Sequence, residues 1–166
     1  MSTRDEPRPV KLVSSFKSLS SRAVEINAAT KQLSSTVKTL EEALARLNLG
    51  ITAWVQFGSG VSVVSGDEWA YELGHAKING KWGLAIRHVC RQSSFPETDE
   101  EILEWAFADA SRELRISAID HVPELIDKLS KDAEELTVRL KRKTEDAVML
   151  AKLLNTIEGA DPAARS

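Results

Sequence analysis

Three side chains able to bind a metal or move a proton, His75, His88 and Cys90, fall at alternating positions of two adjacent strand-like segments and so share one face. Histidine and cysteine hold zinc when three or four of them converge. No fourth ligand stands at a recognised spacing, and aromatic residues surround the three. Acid–base work needs a carboxylate beside a histidine, and Glu72 projects to the opposite face, where Arg87 faces it across the strands. Half-buried polar residues on a core face account for the group, so no catalytic residue, metal site or cofactor is assigned. Gly58, Gly60 and Gly66 carry turn chemistry: neither a GxxxxGK[ST] motif nor a GxGxxG opening a helix is present. Gly74, Ala76, Gly83 and Ala85, beside Glu72 and Arg87, form a smooth cross-strand patch. Small residues let a partner approach closely, and these six are the candidate partner surface.

The elements that must position these residues are strands. From Ile51 the hydrophobic period is two, with strands expected over 51–57, 61–64, 69–78 and 81–90. Asn79-Gly80 is the preferred pair for a type I′ turn, since both central residues need positive φ. A two-residue loop sets Ile78 opposite Lys81, Leu73 opposite Ile86 and Tyr71 opposite His88. Trp69, Tyr71, Leu73, His75, Trp82, Leu84, Ile86, His88 and Cys90 then form the core face. A helix over 99–115 is expected to cover it, announced by Pro96 and a Thr98–Glu101 capping box. Its stripe is Ile102, Leu103, Trp105, Ala106, Phe107, Ala110 and Leu114.

On either side of this insert the period is 3.5. Leu12, Phe16, Leu19, Ala23, Ile26, Thr30, Leu33, Val37, Leu40, Leu44 and Leu47 recur at alternating steps of four and three. So do Ile119, Val122, Ile126, Leu129, Ala133, Leu136, Leu140, Lys143, Ala147, Leu150, Leu154 and Ile157. A 4-3 repeat keeps its stripe on one face only when the helix winds around a partner. Antiparallel pairing of the two stripes gives Leu47 with Ile119, Leu33 with Ala133 and Leu12 with Leu154, and every such pair of residue numbers sums to 166. The expectation is therefore an intrachain hairpin about 50 Å long, with Arg22 beside Asp146. Pro123 either kinks the second helix or opens its first turn.

The resulting fold class is α+β. A long antiparallel coiled-coil hairpin (arms 11–49 and 119–158) carries an inserted head (50–118) of a three- to four-stranded antiparallel meander and one capped helix. Disordered tails are expected at 1–10 and 159–166. A helix, a β insert and a helix returning in antiparallel register resemble the architecture of prefoldin subunits, and the resemblance extends to architecture alone. With a net charge of −3 and a pI near 5.7, there is no global attraction to nucleic acid or anionic lipid. Arg139, Lys141, Arg142 and Lys143 make the middle of the stalk locally basic, interleaved with Glu145 and Asp146. No apolar run reaches the ~18 residues that span a bilayer, and the N-terminal stretch lacks an apolar signal region. One cysteine excludes an intrachain disulfide and fits a reducing cytoplasm.

The expectation is a non-enzymatic scaffold that self-associates, as a dimer or tetramer, and presents its head to a protein partner. A second reading is a small-ligand site among Trp54, Trp69, Tyr71, Trp82, His75 and His88. A third is nucleic-acid contact by the basic mid-stalk, which would weaken steeply with salt.

Overall fold

The computed structural model describes residues 8–92 and 100–159, with side chains described over 11–92 and 100–157. Helix α1 (Arg8–Leu47) leads into a four-stranded sheet of β1 (Ala53–Val61), β2 (Glu68–Ile78), β3 (Lys81–Arg91) and β4 (Glu100–Ala106). A single 3-10 turn (Phe107–Asp109), a short helix α2 (Arg112–Ile119) and a long helix α3 (Val122–Gly159) follow. The sheet is an antiparallel meander in the order β1-β2-β3-β4, so the protein is α+β. No helix among the described residues is long and apolar enough to cross a membrane.

The β2–β3 hairpin forms as the Asn79-Gly80 pair dictates. Both residues take positive φ, 50° and 82°, and Ile78 pairs with Lys81, Leu73 with Ile86 and Tyr71 with His88. The short strand expected over 61–64 is instead the end of β1 followed by a closed loop. Ser62 N–H bonds to Asp67 C=O and Gly66 N–H to Ser62 C=O, both at 2.8 Å. That leaves Val63 and Val64 in solvent.

The helix expected over 99–115 is a correction. Residues from Glu100 to Ala106 form β4, and helix begins only at Arg112, behind Ser111, whose Oγ accepts from the Leu114 N–H at 3.3 Å. Pro96, Thr98 and Asp99, on which the capping box rested, lie outside the described residues. The free edge of β3 decides the outcome: Leu103 and Trp105 pair with His88 and Ile86 on the inner face, while Glu104 and Glu100 meet Arg87 and Arg91 on the outer face. Phe107 continues the inward alternation and is buried. A period of two and one of 3.6 overlap in these residues, and the unpaired edge selects the former.

One core lies between the inner sheet face and the helices. Val55, Leu73, Leu84 and Ile86 from the sheet meet Val37 and Leu44 of α1, Phe107, Ala118 of α2, and Leu125 and Leu129 of α3. Pro123 sits in the first turn of α3, where its missing N–H costs nothing.

The two long helices cross this core in the same sense. In α1, Asn27 and Ser34 accept hydrogen bonds from Arg112 and Arg115 of α2 (both 3.2 Å), and Leu44 and Asn48 border the hollow beside Trp82 and His75. Helix α3 starts at the other side of the sheet, with His121 6.1 Å from Phe57. It then passes Gly50, Ile51 and Thr52 with Asp132, Glu135 and Arg139. Both therefore run from the α2 side towards Gly50. The expected intrachain hairpin differs from this arrangement: Leu136 lies beside Gly50–Thr52, and the outer stripe residues that would pair, Leu12 and Phe16 with Leu154 and Leu150, are exposed. The resemblance to a prefoldin hairpin does not extend to this geometry.

Candidate functional site

The three residues singled out for chemistry are held apart. His75 is buried, its ring stacked on Trp82 at 5.1 Å. Its Nδ1 lies 2.9 Å from the Ile51 carbonyl; a carbonyl only accepts, so the proton is on Nδ1. That bond pins the link between α1 and β1. His88 stacks on Tyr71 at 4.7 Å. Its cross-strand neighbour is four residues along β2 from His75, a separation of about 13 Å at the usual strand rise. Cys90 is partly buried opposite Trp69. Among the described residues no group of three or more His, Cys, Asp or Glu side chains is close enough to hold a metal ion. The residues of the ligand-site reading fall into three separate groups: Trp69, Tyr71 and His88 contact one another on the inner face (5.6 and 4.7 Å), Trp82 and His75 stack beside a hollow beneath the end of α1, and Trp54 lies flat on the outer face.

The patch of small residues is occupied by the chain itself. A Cβ at Gly74 would stand 2.2 Å from Cε3 of Trp54, so the indole rests directly on the Gly74 backbone. The Arg87 guanidinium lies 4.3 Å from the centroid of that indole, and its Nε donates to Glu72 Oε2. Backbone, indole, guanidinium and carboxylate thus form one stack, which only glycine at position 74 permits. Gly83 is approached by Glu41 of α1, at 3.1 Å from a built Cβ, and Ala76 and Ala85 are buried.

Glu41 has a task that sequence pattern does not reveal. Strand β4 ends opposite Ala85, which leaves the backbone of Leu84 without a strand partner on that side. The Leu84 N–H donates to Glu41 Oε1 at 3.0 Å, so a side chain from α1 continues the ladder where β4 stops. Burial pushes the Glu41 carboxyl up from its ordinary value, and the Leu84 hydrogen bond pulls it the other way.

Two rows of charge cross the outer face. Arg91 pairs with Glu68 and Glu100 in register, with N–O distances of 3.9 and 2.6 Å. Arg87 stands likewise between Glu72 and Glu104. A slip of β3 by one residue would place both arginines on the core face, so the rows specify register. Between them lies a shallow hollow of ≈ 450 Å³ bordered by Ala70, Val89 and Ile102.

The largest unassigned apolar surface is on the helices. Along residues 11–29 of α1 and 137–157 of α3 every described side chain is exposed. Leu12 and Phe16 are 71% exposed, Leu19 65%, Leu140 56% and Leu150 58%, although they occupy stripe positions. Near the body the same stripes are covered at Val37, Leu44 and Leu129, while Leu47 and Ile126 stay exposed. The basic residues Arg139, Lys141, Arg142 and Lys143 lie on the free arm of α3, where Lys143 is 3.8 Å from Asp146. Lys17 and Arg22 lie on the free arm of α1, with Arg22 bonded to Glu25 at 2.9 Å. No family model, curated protein or solved structure matches the chain.

Proposed function

We propose that this protein is a non-enzymatic interaction and scaffold protein: a rigid α+β body that holds two helical arms, which self-associate into a dimer or tetramer. The observation that supports it is the contrast along each stripe. The 4-3 pattern continues from the core, where Val37, Leu44 and Leu129 are covered, out to arms where leucine and phenylalanine side chains stand in water. Each such side chain gains about 1.5–3 kcal/mol on burial, so a partner for the arms offers a large driving force.

The arms also need a partner to persist as helices. Most helical stability in a protein comes from packing of an amphipathic face, and α1 is rich in Ser and Thr. In the part of α1 next to the free arm, Thr30, Ser34, Thr36 and Thr39 turn their hydroxyls back onto carbonyls one turn earlier, at 2.7–3.2 Å, a local bond that slightly weakens a helix.

Light scattering across a dilution series is the test. The reading expects a mass at least twice the 18.3 kDa of one chain at micromolar concentration, reduced by Phe16→Asp together with Leu150→Asp. A monomer at every concentration refutes it.

A further inference from the structure

Resting on that self-association, we infer that the arms pair between two copies: the free arm of α1 packs antiparallel on the free arm of α3 from a second copy, in the register whose residue numbers sum to 166. Two such coiled coils then flank a side-by-side pair of bodies.

Three observations lead to this arrangement. First, the constant-sum register joins the two stripes in the sequence, yet one chain does not satisfy it, because α1 and α3 run in the same sense and their free arms leave the body at opposite ends. A two-fold axis perpendicular to the helices turns the second copy over. Its α3 arm then lies beside the α1 arm of the first copy and runs antiparallel to it.

Second, the free lengths match. Among the described residues, Thr30 is the first in α1 to lose full exposure and Leu136 the last in α3 to do so, and these numbers also sum to 166. The free arms are therefore complementary from root to tip, about 28 Å each at the helical rise. In this register Leu12 meets Leu154, Phe16 meets Leu150 and Ile26 meets Leu140, all exposed within one chain.

Third, the flanks are compatible. Arg22 falls beside Asp146 of the second copy, with opposite sign, and Ser20 falls beside Thr144, both neutral. The one charge in the stripe, Lys143, faces the small side chain of Ala23, which leaves room for its stem to lie along the helix with the ammonium outside.

Cross-linking between two populations tests the pairing, with each protein carrying Cys90→Ser and a single new cysteine. Ala23→Cys mixed with Lys143→Cys is expected to give a disulfide-linked dimer on mild oxidation. Ala23→Cys mixed with Leu136→Cys, offset by seven residues and hence about 10 Å, is expected to give none. A charge swap provides a second readout. Arg22→Asp or Asp146→Arg alone should raise the dimer dissociation constant roughly tenfold, since each pair occurs twice, and the two together should restore it. Dimers that link through Ala23→Cys to itself overturn the inference and leave self-association standing. In a third protein that carries Ala23→Cys and Lys143→Cys together, disulfide closure within one monomeric chain overturns it in favour of the intrachain hairpin. A monomer under all conditions overturns both the pairing and the scaffold reading.

Discussion

Gly74→Ala is the most specific perturbation of the body. The added methyl would sit at 2.2, 2.5 and 2.6 Å from three ring carbons of Trp54, well inside van der Waals contact. The Gly74 backbone is fixed in the β1–β2 and β2–β3 ladders, so the indole has to leave. Overpacking of this kind costs about 1–3 kcal/mol. Displacing the ring also ends its stacking under Arg87, worth about 0.5–1 kcal/mol. Alanine in a strand recovers about 0.5–1 kcal/mol relative to glycine. The net expectation is a loss of about 1–3 kcal/mol, which lowers the melting temperature by roughly 2–12 °C for a chain of this size. The discriminating step is to repeat the substitution in Trp54→Ala, where nothing remains to collide with. There Gly74→Ala should be neutral or stabilising. Thermal melts followed by circular dichroism on the four proteins of the cycle decide it. A single variant that melts at or above the parent, or a cost that persists without Trp54, would refute the stack.

Other expected outcomes concern the core, the turn and the buried carboxylate. Leu125→Ala removes a fully buried side chain at the start of α3 and should cost about 2–5 kcal/mol in chemical denaturation; a loss below 1 kcal/mol would mean that α3 does not dock there. Gly80→Val forces a β-branched residue to φ 82° and should lower the melting temperature by several degrees, with Lys81→Val as the neighbouring control. For Glu41, a pKa raised by burial means that the native state favours the protonated carboxyl. Its contribution is full below the ordinary carboxylate value and is lost as pH rises through the raised one. Glu41→Gln keeps an acceptor for the Leu84 N–H but cannot ionise. The melting temperature of Glu41→Gln relative to the parent should therefore rise as pH is raised from below the ordinary carboxylate value through the raised one, and a flat or falling difference would contradict the assignment.

The parts of the fold written in short-range chemistry were legible. Asn79-Gly80 dictated the hairpin and its register, and the 4-3 repeat ending at Leu47 marked where α1 stops. What escaped depends on non-local competition. Residues from Ile102 to Phe107 satisfy both a helical and an alternating pattern, and only the open edge of β3 separates them. The stack on Gly74 and the bond from Leu84 to Glu41 join residues 20 to 43 positions apart in the chain, with no motif to signal them. The small residues at 74 and 83 were visible, but not that Trp54 and Glu41 come to rest on them. The stripes of α1 and α3 were plain, whereas the sense in which the helices cross is set by how α2 spans from Asn27 and Ser34 to the start of α3.

Hydrogen exchange measured at two protein concentrations addresses the central claim most directly. If the arms are helical because they are covered in an assembly, amides in 11–29 and 137–157 should lose protection on dilution below the dissociation constant, while those of β2 and β3 keep theirs. Arm protection that is unchanged by dilution would contradict the account.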